Sequence, residues 1–286
     1  MGYSIVIVPP ETNYISISLT FRCPLNCPYC INDYTAGVKI NEADNEVPGD
    51  MWVKALNRLQ IPKNVPLTLE GGEPSLHSGF YEIIDGVKNK INILTNLCFD
   101  VDEFIDMVDT RKIMHGCDRA FKPIRISYHA LTMDMMETVG KAELLQEAGF
   151  GVGIFGLSHP EHVEQNIKMA EECRKRRLYF YIKDFLGYYQ GKLFGHFRYP
   201  DSLDGSKLEC HCSSNELLIG PNGDIYKCHR DMYAGELPLS SIFDSDLVIE
   251  HKSRPCYLYG KCNPCDVKFK TNRYLKAGNS SVEILR

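Results

Sequence analysis

The chain has 286 residues, 44% hydrophobic and 24% charged, which is material for one large domain or a core plus a small appendage and not the composition of a disordered chain. No apolar run approaches the ~18–20 residues needed to span a bilayer. The start, MGYSIVIVPPE, has neither a basic leader nor a small-residue cleavage site, so a cytoplasmic location without membrane insertion is expected. A formal net charge of −5 and a pI near 6.0 argue against a broad nucleic-acid surface.

In chain order, apolar β-branched segments alternate with segments of helical period. YISISLT (14–20) reads as a strand followed by a cysteine-rich loop, and a helical pattern follows near Met51 to Leu59. VPLTLE (65–70) is the next strand and GFYEIIDGVKN (79–89) the next helix. INILTN (91–96) precedes an amphipathic stretch near Val101 to Val108, and IRISYH (124–129) precedes a helix from Asp134 to Ala148. GVGIFGL (151–157) leads into a helix from Pro160 to Arg176, and LYFYIKDF (178–185) closes the series.

Parallel strands need such crossovers, and right-handed crossovers curl a sheet toward a barrel. A complete eight-unit barrel typically takes ~250 residues. The shorter series here predicts an α/β fold with a partial (β/α)6 TIM-like barrel over residues 1–186, a flat doubly wound sheet being the alternative. In both, ligands sit outside the carboxyl ends of the strands. Residues 187–209 read as a linker. Residues 210–286 read as a small cysteine-rich domain that needs a metal staple, with a hairpin over 216–228 turning at Pro-Asn-Gly.

Twelve cysteines are present, and the disulfide scaffold that such a count suggests belongs to short secreted chains. Nine fall in two groups, from Cys23 to Cys30 and from Cys210 to Cys265, while Cys98, Cys117 and Cys173 are scattered. RCPLNCPYC places Cys23, Cys27 and Cys30 in a Cys-x3-Cys-x2-Cys loop after the first strand. Three thiolates cannot complete a structural zinc site without a distant fourth ligand. They can hold three irons of a 4Fe–4S cube and leave the fourth open. LTLEGGEP then puts Gly71, Gly72 and Glu73 at the carboxyl end of the second strand, where glycines admit a close ligand and a carboxylate suits an ammonium group.

These residues resemble the radical S-adenosylmethionine (SAM) enzymes. The resemblance implies that the Cys-x3-Cys-x2-Cys loop binds a 4Fe–4S cluster whose open iron is chelated by SAM, and that Gly71, Gly72 and Glu73 contact the methionine amino group. It further implies that Tyr29 lies against the adenine, and that Thr95, Asn96 and Ser127 sit where polar groups meet the ribose or carboxylate. Ile154 and Gly156 match the family's fifth-strand motif, with Val152 in place of its first glycine. The implied chemistry is reductive cleavage of SAM to a 5′-deoxyadenosyl radical, which takes a hydrogen atom from a substrate. The electron donor is expected to be of flavodoxin or ferredoxin type.

Cys210, Cys212, Cys228, Cys256, Cys262 and Cys265 crowd the last quarter, and a zinc ribbon is one reading of them. Beside the first group they resemble the auxiliary-cluster extensions called SPASM and twitch, to which Gly223-x4-Cys228 belongs. The resemblance implies one auxiliary 4Fe–4S cluster held by Cys210 or Cys212 with Cys228, Cys262 and Cys265, leaving two spare thiols.

Other positions carry smaller expectations. Cys98, at a strand end after Thr95-Asn96, could face the cavity, though a buried structural thiol is favoured for it as for Cys117 and Cys173, and Lys268 to Lys276 read as a solvated tail. His129 either contacts a ligand or only packs. Asn32, Asp33 and Tyr34 trail the loop toward a pocket. On the sixth strand Tyr179, Tyr181 and Lys183 share one face and Phe180, Ile182 and Asp184 the other, without a sign of which points inward. The cluster loop begins at residue 23, which leaves no room before it for a peptide-recognition domain. The expected substrate is therefore a small polar molecule such as a sugar or aminocyclitol, undergoing oxidation or epimerisation. Modification of a ribosomal peptide is the alternative, and a non-enzymatic iron–sulfur carrier is the rival from another class.

Overall fold

The computed structural model describes residues 4–32, 46–113, 122–270 and 280–285. Asp33, Tyr34, Cys117 and Lys276 lie outside the described residues. Six parallel strands carry the architecture: β1 (Tyr14–Thr20), β2 (Leu67–Gly71), β3 (Ile91–Thr95), β4 (Ile124–Ser127), β5 (Val152–Leu157) and β6 (Tyr179–Lys183), each hydrogen-bonded to the next. Helices α1 (Gly49–Leu56), α2 (Phe80–Gly86), α3 (Val101–Met107), α4 (Met135–Glu147) and α5 (Val163–Lys175) lie in the crossovers. Two of their starts are fixed by carboxylate caps. Asp100 accepts from the N–H groups of Asp102 and Glu103, and Asp134 from that of Glu137.

The strand faces differ in chemistry. Ile15, Ile17 and Leu19 of β1, Leu67 and Leu69 of β2, Ile91 and Ile93 of β3, and Ile124 and Ile126 of β4 join the main apolar core with helix residues such as Trp52, Ile83 and Phe104. The alternate positions form a polar inner face. Tyr14 and Ser16 donate to the two oxygens of Glu70 at 2.6 and 2.5 Å, and Asn92 and Arg125 are buried nearby in the register. Tyr179 and Tyr181 pack on Phe155, and the Lys183 ammonium sits 4.6 Å over the same ring. Phe180 instead packs against the outer core. Tyr179, Tyr181 and Lys183 are thus the inward set.

The sheet continues past residue 186. After the hairpin β7 (Gly187–Tyr189) and β8 (Lys192–Phe194), which gives structure to the stretch read as a linker, the chain forms β9 (Leu208–Ser214) and then β10 (Glu216–Ile219). β10 runs parallel to β1 on its free edge, with Glu216 opposite Tyr14. It turns through Pro221-Asn222-Gly223 into β11 (Asp224–Tyr226), which pairs with β12 (Ser240–Ser241). Gly223 has φ +83°, and a Cβ there would collide with the Phe243 ring. The nine-stranded sheet ends at β6 on one side and β12 on the other, so the barrel stays open. Helix α6 (His229–Ala234) follows β11. β13 (Arg254–Tyr259) and β14 (Val282–Leu285) flank β9 in a separate three-stranded sheet, with the short helix α7 (Pro264–Val267) between them in sequence. Among the described residues no helix is long and apolar enough to cross a membrane.

Lys270 departs from the expectation of a solvated tail. It is 1% exposed, with its ammonium 3.4 Å from the equally buried Glu216. A buried ammonium is tolerated only beside such a carboxylate.

Candidate active site at the mouth of the barrel

The loop after β1 crosses the carboxyl end of the sheet. A turn in which the Cys30 N–H donates to the Cys27 carbonyl shapes its far half. The Asn96 amide lies 3.5 Å from Cys23 Sγ, and the Thr132 hydroxyl 3.8 Å from Cys27 Sγ. Burial pushes the Cys23 and Cys27 thiols up to about 11. The neighbouring Glu73 and loop cysteines add to this at Cys23, and Cys30 adds at Cys27. A metal bound there would reverse the direction, because a coordinating thiol gives up its proton outright.

Gly71 and Gly72 serve the backbone before any ligand. A Cβ on either would collide with the carbonyls of Thr20, Phe21 or Arg22 at the root of the loop, and Gly71 has φ +134°. This close approach lets Gly72 N–H donate to Thr20 O and Glu73 N–H to Arg22 O, both at 2.8 Å. The glycines therefore seat the Glu73 backbone against the cysteine loop.

Glu73 is fully buried. Its Oε1 accepts from Thr95 Oγ1 at 2.8 Å, Ser75 Oγ at 2.7 Å and Ser75 N at 3.2 Å, and its Oε2 from Asn96 N at 2.6 Å. All are neutral donors. Burial holds its carboxyl above the ordinary carboxylate range, against those hydrogen bonds. Thr95 and Asn96, expected to face the ribose or carboxylate of a ligand, orient Glu73 through the Thr95 hydroxyl and the Asn96 N–H, while the Asn96 side chain lies between Cys23 Sγ and the Cys98 N–H. Ser75, which the sequence reading passed over, shares that work. The result is a fixed negative group in a low-dielectric pocket, an arrangement that a cationic ligand stabilises.

On the other side of the loop, Tyr29 stands among rings from three strand ends. His129 lies 5.8 Å away after β4, His159 and His162 lie 5.1 and 5.2 Å away after β5, and Phe185 lies 6.2 Å away after β6. His162 is fully buried, and neither ring nitrogen has a hydrogen-bond partner in the structure; Tyr29 Oη and His129 Nδ1 are likewise buried and unpartnered. Burial, aided by His162 and Lys183, pulls His129 down to about 4, so its ring is neutral near pH 7. Three unbonded polar groups meeting at a strand-end cleft mark a place that a hydrogen-bonding group completes. His159 and His162 were readable as polar residues just beyond a strand's carboxyl end, a signal the sequence reading used only for His129. Ser127 lies half-buried on the inner face at the end of β4. Ile154 is in the outer core, and a Cβ on Gly156 would meet Asn166 of α5 and the Phe180 ring, so both serve helix packing. Asn32 Nδ2 donates to Gly71 O at 3.1 Å.

The scattered thiols divide. Cys173 is buried with its Sγ 3.6 Å from Met169 Sδ, whereas Cys98, expected to be buried, is exposed at the mouth with Sγ 3.4 Å from Ser75 Oγ.

The C-terminal cysteines gather on one side of β9. Cys210 and Cys212 both point to its buried side, and Cys256 of β13 is the register partner of Cys210. A hydrogen bond from Cys212 holds the Cys256 thiol below the ordinary thiol range. Cys228 and Cys262 pack against the same apolar cluster of Leu203, Val267 and Val282. Burial raises Cys262 to about 12. Asp266 braces the group by accepting from His229 N at 2.9 Å, His229 Nδ1 at 2.8 Å and Arg230 N at 3.2 Å. Cys256, one of the six C-terminal cysteines taken from the sequence as candidate metal ligands though not among the four favoured, sits beside Cys210 and Cys212. Among the described residues no three His, Cys, Asp or Glu side chains converge as ligands of a single metal ion.

The donor chemistry of the first site fits an iron–sulfur cluster with SAM: soft thiols in one loop, a buried carboxylate for an ammonium, and unpartnered groups for a heterocycle. Comparison with known proteins points the same way. The sequence profile of the Radical SAM superfamily matches residues 17–181. A PqqA peptide cyclase from Granulibacter bethesdensis is 23% identical over 167 residues, 54% of this chain and 42% of that protein. The chain thus spans less than half the length of this curated relative. Among solved structures, SuiB of Streptococcus suis bound to its precursor peptide SuiA aligns with TM-score 0.52 at 15% identity, covering 86% of this chain and 64% of that one. The enzyme anSMEcpe with bound AdoMet and the Kp18Cys peptide aligns with TM-score 0.55 at 12% identity, covering 85% and 79%. These likenesses establish the fold, and the profile covers more than half of the sequence. The chain belongs to the radical SAM superfamily.

Proposed function

We propose that this chain is an enzyme that cleaves SAM reductively and takes a hydrogen atom from a substrate to begin its modification. Cys23, Cys27 and Cys30 hold the cluster in this reading, which when bound supplies one electron to SAM and so releases the 5′-deoxyadenosyl radical. Glu73, oriented by Thr95, Ser75 and the Asn96 N–H, takes the methionine ammonium. Tyr29 lies against the adenine, with His162 and His129 as hydrogen-bonding partners at its edge. The C-terminal cysteines hold an auxiliary cluster. The observation that carries the reading is the buried, neutrally solvated carboxylate of Glu73, seated by its glycines directly against the cysteine loop. An iron–sulfur carrier has no use for it.

The substrate class favoured is a peptide rather than a sugar or aminocyclitol. The expectation of a small substrate rested on the short stretch before the loop. The relatives named above include a peptide cyclase and two proteins crystallised with peptides, which supports the alternative. The polar inner face, with Tyr179, Tyr181 and Lys183 on the open edge at β6, offers an extended segment a lateral entry.

The test is anaerobic reconstitution with iron and sulfide, followed by SAM and a strong reductant and assay of 5′-deoxyadenosine. Formation of the nucleoside by the wild type, and its loss in Cys30→Ala, is the expected outcome. A reconstituted wild type that leaves SAM intact would refute the proposal.

A further inference from the structure

One side chain joins the two cysteine groups. Asn263, inside Cys262-Asn-Pro-Cys265, is fully buried, and both ends of its amide are engaged. Its Oδ1 accepts from Cys265 N at 2.9 Å, capping the start of α7, and its Nδ2 donates to the carbonyl of Ile31 at 3.0 Å. Ile31 directly follows Cys30, and the next residue, Asn32, donates to Gly71 O. On the other side Asp266, next to Cys265, accepts from the two residues that follow Cys228. Hydrogen bonds joined by adjacent residues of the chain therefore lead from the segment after Cys228 through Asp266, Cys265 and Asn263 to the segment after Cys30 and on to the Gly-Gly-Glu segment.

The residue type carries information beyond the cap. Aspartate, serine and asparagine cap helices about equally well. Of these, only asparagine accepts and donates from one rigid group. The second bond is the one that reaches the other cysteine loop, 232 residues away in sequence.

We propose that Asn263 is a positioning residue that couples the C-terminal cysteine group to the first cysteine loop, so that filling the former sets the geometry and SAM affinity of the latter. The proposal rests on the reading that both groups hold clusters. Ligation at Cys262 and Cys265 fixes the loop that carries Asn263, and the amide passes that constraint to Ile31. The effect is a coupling free energy between two sites, carried by an identified contact.

The test uses the full chain, reconstituted anaerobically, with iron per chain, the SAM dissociation constant and the electron paramagnetic resonance spectrum of the reduced protein as readouts. Asn263→Asp keeps the cap and loses the donor; Asn263→Ser also caps but is too short to reach Ile31. Both are expected to hold wild-type iron, to bind SAM about tenfold more weakly, and to show an altered spectrum in its presence. Cys262→Ala with Cys265→Ala should give a similar loss of SAM affinity, with no further loss when Asn263→Asp is added. SAM affinity within about twofold of wild type in both Asn263 variants at full iron would overturn the proposal, since coupling of about tenfold is what it requires. So would loss of iron at both sites in both variants, which marks a structural role alone. A wild type that holds iron but does not bind SAM would refute the function proposed above, and is seen before any variant is made.

Discussion

Glu73 shows how much chemistry one buried carboxylate holds. Its four hydrogen bonds come from neutral donors, so its charge is partly solvated but not neutralised. Only the ionised form pairs with an ammonium. SAM binding by the wild type is therefore expected to weaken as pH falls and Glu73 takes up its proton, and titration calorimetry over a pH series reads this. Glu73→Gln should bind SAM about a hundredfold more weakly at pH 7.5 and lose that pH dependence. The same raised carboxyl acts on stability in the ligand-free chain. The native state binds this proton more tightly than the unfolded chain does. Its contribution is thus present below the ordinary carboxylate range and is lost as pH rises through the raised value. None of this was legible in the sequence beyond the Gly-Gly-Glu-Pro string, because two of the four bonds come from Thr95 and Asn96 at the end of the next strand and the other two from Ser75, whose turn back onto Glu73 no periodicity marks. Thr95 and Asn96 were picked out for the right neighbourhood, but their bonds to Glu73 were not foreseen.

At the scale of elements, the junction of β1 and β2 decides whether a site forms. The two strands run in parallel until β2 reaches Gly71, where the backbone closes on the root of the cysteine loop. Gly72→Ala inserts a methyl against the carbonyls of Phe21 and Arg22, neither of which can rotate away. The expected cost is about 2–4 kcal/mol of stability, read as a lower thermal midpoint, with impaired iron loading in what folds. The six strands, their helices and the 216–228 hairpin were all readable from periodicity and turn residues. The inward face of β6 was not. Tyr179, Tyr181 and Lys183 on one face and Phe180, Ile182 and Asp184 on the other each combine large apolar surface with a charge, and only the packing on Phe155 settles the matter. Cys98 misled for a related reason: a strand-end loop with Leu97 at φ 60° turns the next thiol outward, and no periodicity describes a single left-handed residue.

For the whole molecule, the sheet matters more than the cysteine count. The sequence suggests an N-terminal core and a separable C-terminal domain, since cysteine density and strand length change together near residue 187. The structure puts β10 on the edge of β1, with Leu217 and Ile219 in the main core and Leu218 beneath Tyr233. Register between distant strands is invisible to local pattern. A chain cut after residue 186 exposes the backbone of β1 and the apolar surface that β10 covers. It is expected to aggregate, or to melt well below the full chain, in size-exclusion and thermal-unfolding measurements. A cut chain that is monomeric and equally stable would show that the last hundred residues are a true appendage.

The pairing of β10 with β1 also imposes a timetable. The ribosome delivers Tyr14 about 200 residues before Glu216, so this interior seam of the sheet is completed among the last. Until then the first three thiols hang from a strand with one bare flank. Iron delivered to an earlier nascent chain would meet an unfinished vessel, and productive metallation is expected only once β10 has been made and has paired with β1.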